Sequence, residues 1–530
     1  MKINTTFKLL LVLIALAVFL RVYNFSFPAF TTDEARIAFR GYELYHNGVD
    51  ELGRKLPFLF NSPDDYELPL VSYISALGTG FFGKSELGAR VPFIIIGLIL
   101  ILLTYKVATQ LSKEKYYSLF SALILILSPV LFFLSKAPNE YIVVATLILL
   151  LFYLLNKDRL NLIPITFTII LLFLTSKLSW FIVVPFVLYT IFVFRNNLNI
   201  RDKFKLSLIS FTFTILAFVL FIQVPQGARS LAENNLSFFS DISIKNGIDW
   251  IRGQGLQSGW PPAVERILIG KALFLPIGFL HWLSNIQPAV LFGQFSKDTS
   301  LSFSGMGAFP KVLIVPALLG IAFLIKKGKR SLLLYPMIVV LPAAFIYPQL
   351  KSQVILFALP FIGYIIAFGL FQVNKIMKSL IIFLMVLELS VNFLFLSSEV
   401  NIMAKSRPYW IKPILLDASS VTGAGVFISD DIVRDPASFI EWFTPLKPQI
   451  SAPDLKFPYK YRQTDFGKVK LLGLSDNLRL CQPGEVSSFF VTQRDLERVK
   501  KMGANTFIRT YSEDQGAVVV YRIEGEVCIN

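Results

Sequence analysis

Histidine is nearly absent from this chain: in 530 residues it occurs only as His46 and His281. That scarcity removes most Ser-His-Asp and Cys-His nucleophile schemes and any His-rich zinc site. Cysteine is as rare, with Cys481 and Cys528 alone, so no disulfide-dense scaffold is built here. Charge is thin as well. Asp, Glu, Lys and Arg make up 16% of the residues against 54% hydrophobic ones, and the mean hydropathy is +0.62, which no ordinary soluble protein sustains. What fills the chain instead is a series of apolar runs of about 17 to 22 residues, each long enough to cross roughly 30 Å of hydrocarbon. They extend to residue 397, and the composition then turns mixed.

The first run, near Phe7 to Val22, lacks a small-residue cleavage site and reads as a retained helix, not a signal peptide. The formal charge of +16 invites a nucleic-acid reading, but the positions of the charges argue against it. Basic residues gather in short links: Lys113 and Lys115; Lys157 and Arg159; Arg195, Arg201, Lys203 and Lys205; Lys326, Lys327, Lys329 and Arg330; Lys375 and Lys378. Alternating crossings put those links on one side, as the positive-inside rule requires. The expected architecture is mostly α, with about eleven transmembrane helices over residues 1–397, a first external loop at 24–89 and a long one at 223–310. The ambiguous stretch Ile267 to Leu283 is read as an external juxtamembrane helix, because a crossing there would reverse the side of Lys326 to Arg330. Residues 398–530 read as a small extracytoplasmic α/β domain. Its expected strands are Gly425 to Ile428, Ser488 to Thr492, Thr506 to Arg509 and Ala517 to Arg522, and its helices Pro436 to Phe443 and Gln493 to Met502. Both cysteines fall in this domain, where either a bridge or two thiols packed as small hydrophobes is allowed.

With histidine excluded, carboxylates and lysines remain, all in expected external turns. Asp33 and Glu34 follow the first run within a loop that also carries Asp64, Asp65 and Glu67. Lys136 and Glu140 lie between helices 3 and 4, Lys177 between helices 5 and 6, and Lys351 between helices 9 and 10. A carboxylate facing isolated cations suits one kind of chemistry, in which it takes a proton from an incoming hydroxyl or amine while the cations hold an anionic leaving group such as a phosphate. Each residue also has a plain structural explanation. Asp33 and Glu34 suit the positive end of a surface helix over Glu34 to Tyr45, and Glu140 suits helix 4. The lysines could snorkel at helix ends, and Asp64-Asp65 after Pro63 is ordinary turn chemistry.

The order of elements resembles the GT-C glycosyltransferases, specifically the family 39 group that includes protein mannosyltransferases and the aminoarabinose transferases acting on lipid A. The resemblance lies in Asp33-Glu34-Ala35-Arg36, Tyr66-Glu67-Leu68-Pro69-Leu70 with Tyr73, Gly88-Ala89-Arg90-Val91-Pro92, and Ser128-Pro129 and Ser135-Lys136-Ala137 with Glu140. Trp282-Leu283-Ser284-Asn285 and Gly305-Met306-Gly307 look like later external-loop motifs. The resemblance implies that Asp33 is the catalytic base supported by Glu34, that Glu140 serves the acceptor or sugar site, and that transfer inverts the anomeric carbon. Members commonly carry Arg where this chain has Lys136, which keeps the charge and loses the fork. Many have a phosphate-binding Lys before Pro-Pro-Leu where this chain has Glu67 before Leu68-Pro69-Leu70, so phosphate binding shifts to Lys136, Lys177 or Lys351.

The resulting expectation is a multi-pass enzyme of a prokaryotic cytoplasmic membrane that moves a sugar from a polyprenyl-phosphate donor to an acceptor lipid, glycan or protein. Asp33 and Glu34 are its catalytic residues, and Glu67, Lys136, Glu140, Lys177, Lys351 and Asp65 bind substrate. No cofactor or nucleic acid is expected; the extra carboxylates leave a divalent metal as the lesser alternative, since hard cations need several oxygen ligands that no spacing here brings together. A polytopic transporter or lipid flippase is the competing class, but it would place charges near the midplane and show internal repeats. A membrane-anchored sensor is a third reading, in which the Asp33 region is dispensable.

Overall fold

The computed structural model describes residues 5–23, 29–51, 53–61, 66–112, 114–195, 197–223, 242–261, 289–293, 306–346, 354–403, 410–421, 425–433, 435–446, 465–473, 478–480, 486–504, 506–512 and 519–529, with a few isolated positions besides. It is a predominantly helical, multi-pass membrane protein with a small sheet domain at the C-terminal end. The bundle opens with α1 (Thr5–Val22), α2 (Thr32–Asn47), α3 (Leu70–Phe82), α4 (Glu86–Leu111), α5 (Lys115–Ile126), α6 (Pro129–Leu134) and α7 (Glu140–Leu155). It continues with α8 (Leu162–Thr175), α9 (Lys177–Tyr189), α10 (Ile200–Gln223) and α11 (Ile242–Gln257). Then come α12 (Ile314–Lys326), α13 (Arg330–Ile346), α14 (Leu359–Gln372) and α15 (Lys375–Met403).

Two departures from the sequence reading shape the site. The expected third helix, Tyr117 to Leu134, is broken into α5 and α6. Ser128 caps the new start by accepting from the Leu131 N–H at 3.3 Å, and Pro129 takes the first helical position, where its missing donor costs nothing. The first loop also contains α3, whose 13 residues are too few to span and therefore escaped a search for crossings. It packs on α2, with a short antiparallel ribbon of β1 (Phe60–Asn61) and β2 (Tyr66–Glu67) beside it.

Deeper in the bundle, α12 and α14 approach backbone to backbone. A Cβ at Gly369 would run into the Pro316 carbonyl oxygen, and one at Gly320 into that of Ile365, the close approach that small residues allow between membrane helices. The basic links gather at one end. There Lys329 Nζ donates to Leu111 O at 3.3 Å, and Arg195 Nη1 to Leu155 O at 2.8 Å and Lys157 O at 2.6 Å. Asp33, Glu34, Glu86 and Glu140 start helices at the other end.

The C-terminal domain begins with α16 (Ile411–Ser420), followed by β3 (Gly425–Ser429), α17 (Pro436–Phe443), β4 (Asp465–Phe466), β5 (Val469–Leu472) and β6 (Leu478–Leu480). After these come β7 (Ser487–Thr492), α18 (Gln493–Lys501), β8 (Thr506–Ser512), β9 (Val519–Gly525) and β10 (Val527–Ile529). Six strands form one sheet in the order β4-β5-β3-β7-β9-β8, with β3 parallel to both β5 and β7 and the outer pairs antiparallel. β6 and β10 pair separately, with Cys528 opposite Arg479. Cys481 lies outside the described residues, as do Trp282 to Asn285 and Gly305. So does most of the stretch Ile267 to Leu283.

This domain does not stand apart. Phe30, Ala35, Ala38, Phe39 and Ala89 of the first loop share one buried cluster with Ile411, Ile414, Leu415 and Trp442. Lys84 Nζ donates to Thr444 O at 2.7 Å, and Lys412 pairs with Glu86 at 2.7 Å. The sheet domain is thereby docked on α2.

Candidate active site

The start of α2 is fixed by a reciprocal cap. Thr31 Oγ1 accepts from the Glu34 N–H and Glu34 Oε2 accepts from the Thr31 N–H, both at 3.2 Å, which satisfies two donors that a helix start would otherwise orphan. Glu34 is buried, so its part in the site is to hold the helix start beneath Asp33. The Thr-x-x-Glu spacing carried that signal in the sequence.

Asp33 faces outward from this turn, its side chain 74% exposed. One helical turn on, Arg36 is buried and spreads its guanidinium among three carboxylates. Nη2 donates to Asp33 Oδ1 at 2.6 Å and to Glu67 Oε1 at 2.7 Å, and Nη1 lies 3.8 Å from Asp435 Oδ2. Burial works against the Arg36 charge, but Glu67, then Asp33 and Asp435, more than offset it, so its pKa stands above the usual arginine value. Arg40 follows at i+4 on the same face. It is fully buried and donates through Nη1 to Glu67 Oε2 at 2.5 Å and through Nε to Glu51 Oε1 at 2.7 Å. Burial raises the Glu51 pKa against the pull of Arg40. The result is a charge-assisted ladder in which Glu67 bridges two arginines. Glu67, at the position where the resemblance led to an expectation of Lys, thus has a local partner set of its own.

A second group of charges is cationic and buried. Lys136 belongs to the turn between α6 and α7, yet the turn folds inward. Ser135 and Lys136 are buried, Lys136 Nζ donates to Tyr23 O at 3.1 Å and sits 4.8 Å from the Phe132 ring centroid. Asn139 holds the turn in this shape, its Nδ2 donating to Leu134 O and Ala137 O at 2.7 Å each. Burial, then Arg90, then Arg21, push the Lys136 pKa down to about 7. Arg21 in the last turn of α1 and Arg90 in α4 are both buried, and Arg21 Nε has no hydrogen-bond partner among the described residues. Arg90 lies 4.6 Å from the centroid of Phe30, three residues before Asp33, which joins the cationic group to the start of α2.

Lys177 begins α9, where its Nζ stands 5.5 Å from the Phe221 ring, and Glu140 begins α7 above the Asn139 cap. Lys351 and Asp65, with Asp64, lie outside the described residues. Arg40, Glu51, Asp435 and Arg21 had no place in the sequence reading. Arg36 and Arg40 at i and i+4 were the available clue; no spacing leads to Asp435. A cavity of about 230 Å³ is lined by Gln110, Asn156, Lys329 and Ser331 among others, at the end of the bundle away from Asp33.

No curated protein matches the chain. Among solved structures, the apo oligosaccharyltransferase of Archaeoglobus fulgidus aligns with a TM-score of 0.49 at 13% identity, over 83% of this chain and 64% of that one. The chain thus spans less than two thirds of that protein's length. ArnT from Cupriavidus metallidurans in the apo state aligns with a TM-score of 0.44 at 11% identity over 98% of both chains. The same protein bound to undecaprenyl phosphate gives 0.46 at 12% identity, again over 98% of both. A family profile described as dolichyl-phosphate-mannose-protein mannosyltransferase matches residues 62–224. That segment, which holds Glu67, Arg90, Lys136, Glu140 and Lys177, is a match to the glycosyltransferase family that the motifs of the first loop and helix entries resemble.

Proposed function

We propose that this protein transfers a sugar from a polyprenyl-phosphate carrier to an acceptor hydroxyl or amine at the lip of its helical bundle. The observation that carries the reading is a pair of features: an exposed carboxylate, Asp33, fixed on a capped helix start by Arg36, and a separate buried group of Arg21, Arg90 and Lys136, of which Arg90 meets Phe30 in the segment leading into that helix. The family matched over residues 62–224 is described by a sugar donor of this kind.

In the proposed reaction the acceptor O–H or N–H gives its proton to Asp33 as the new bond to the anomeric carbon forms. The bond from that carbon to the phosphate oxygen breaks on the opposite face, and polyprenyl phosphate departs with one more negative charge. Glu34 keeps Asp33 at the helix start, and Glu67 keeps Arg36 and Arg40 in place. The cations are suited to the charge that grows on the departing phosphate, where electrostatic stabilisation counts most. Lys136, whose pKa its surroundings bring down to about 7, is drawn toward its protonated form as the anion arrives. Glu140, Lys177, Lys351 and Asp65 remain candidates for contacts to the sugar and acceptor, and the C-terminal domain is placed on the extracytoplasmic side of a prokaryotic cytoplasmic membrane. No metal takes part in the proposal.

The test is release of free polyprenyl phosphate from labelled polyprenyl-phosphate sugars by the protein in lipid nanodiscs supplied with an envelope extract as acceptor. Acceptor-dependent release supports the reading. Flipping of the intact lipid with no release, across mannosyl, glucosyl and aminopentosyl donors, contradicts it and favours the transporter class.

A further inference from the structure

The loop entering α17 holds an unusual residue. Asp435 has φ 56° and ψ 70°, in the left-handed region, and the next residue is Pro436. A side chain-bearing residue is disfavoured there, and a following proline adds to the restriction. Such a conformation persists where the surroundings over-determine it, commonly at working sites. Two contacts define it: Ser438 Oγ donates to Asp435 Oδ2 at 2.7 Å, and the same oxygen lies 3.8 Å from Arg36 Nη1. The strained residue of the C-terminal domain is thus aimed at the arginine that holds Asp33.

Docking does not need this contact. The Phe30–Trp442 and Phe30–Phe443 ring pairs, the Lys84 bond to Thr444 O and the Lys412–Glu86 pair already join the domain to the first loop. What Asp435 adds is control of one guanidinium. Arg36 meets Asp33 and Glu67 through Nη2 and faces Asp435 with Nη1. An anion on the Nη1 side fixes the rotation of the planar fork.

We propose that Asp435 is a positioning residue for the transfer reaction, acting through Arg36 to set the direction of Asp33, so that the docked C-terminal domain is part of the active site. The proposal rests on the reading of Asp33 as the base. The charged groups facing Asp33 are Arg36 on its own helix, Glu67 on β2 and Asp435 from the C-terminal domain, with Glu34 beside it in the capped turn and Arg40 acting through Glu67.

Asp435→Asn is the informative variant. Asn tolerates the left-handed region and can still accept from Ser438, so the charge alone is lost. The full-length protein in nanodiscs is labelled at Asp33 with a carbodiimide and an amine at one fixed pH, and the labelled peptide is quantified by mass spectrometry. With the Nη1 side of Arg36 released, the fork no longer holds Asp33 in one direction, and the labelling rate is expected to change by about twofold or more. In the transfer assay kcat falls about tenfold, while the donor KM stays within about twofold. Asp435→Glu restores most of both the labelling rate and kcat. Asp435→Gly, which removes the side chain and relieves the backbone, reproduces the Asn result with unaltered thermal stability. A labelling rate and kcat equal to wild type in the Asn and Gly variants overturn the proposal. If wild type transfers nothing while the Asp33 labelling rate still changes, the base reading fails and the coupling through Arg36 stands.

Discussion

Lys136 offers the sharpest pH test of the proposed leaving-group site. Its ammonium is buried and faces the like charges of Arg90 and Arg21, which bring its pKa down to about 7. If only the protonated form holds a phosphate, affinity for polyprenyl phosphate falls about tenfold per unit above that value, or about 1.4 kcal/mol per unit. Between pH ~7 and ~9 the phosphate monoester itself, with a second pKa near ~6, stays dianionic, so the slope reports the protein. Displacement of a fluorescent polyprenyl phosphate from nanodisc-embedded protein gives the constant. Wild type is expected to weaken by about fiftyfold across that window. Lys136→Arg, whose guanidinium stays charged, is expected to show a flat profile, and Lys136→Met weak binding at every pH. Stability moves the other way. The folded state holds fewer protons than the unfolded chain, in which the group titrates at its ordinary higher pKa, so Lys136 contributes stability that grows as pH rises from about 7 toward that value. A wild-type affinity that does not change from pH ~7 to ~9, or the same slope in Lys136→Met, refutes a role for this lysine in holding the phosphate.

Two further outcomes follow from particular contacts. Glu441 on α17 is buried, its Oε1 has no hydrogen-bond partner among the described residues, and burial, then Glu51 and Asp435, hold its pKa well above the usual carboxylate range against Arg40 and Lys84. The folded state therefore keeps a proton that the unfolded chain loses, and stability declines as pH rises above the unfolded value. Glu441→Gln is expected to flatten that decline in a melting series from acid to neutral pH, and an unchanged slope contradicts it. Gly369→Ala places a methyl against the Pro316 carbonyl oxygen and is expected to cost about 1–3 kcal/mol, read as a lower melting temperature in detergent; a wild-type melting temperature would show that α12 and α14 can part without loss.

The elements that sequence pattern revealed are those whose signal is local. The expected helix Pro436 to Phe443 coincides with α17, the Glu34 to Tyr45 helix lies within α2, and the β7, α18, β8 and β9 segments fall within a few residues of their expected bounds. Each has its periodicity and its stop signals in adjacent residues, as Gly48 at φ 67° shows for the end of α2. The misses have a common cause in tertiary structure. Ser128-Pro129 could sit in a kinked helix or start a new one, and the Ser128 bond to Ala308 O at 2.7 Å belongs to a distant segment. Lys136 reads as a cation at a helix end whichever way its turn folds. The Asp33–Arg36 pair was within reach of i, i+3 spacing, whereas Glu67 as a bridge and Asp435 as a third anion depend on chain segments that only the fold brings together.

Asp33 carries the central claim, and single-turnover transfer by Asp33→Asn tests it most directly. The substitution keeps an oxygen that can still accept from Arg36 and removes the ability to take a proton. With folding and polyprenyl phosphate binding matched to wild type, the rate of sugar transfer is expected to fall about 10²- to 10⁴-fold. A variant that transfers sugar at a rate near wild type would contradict the account.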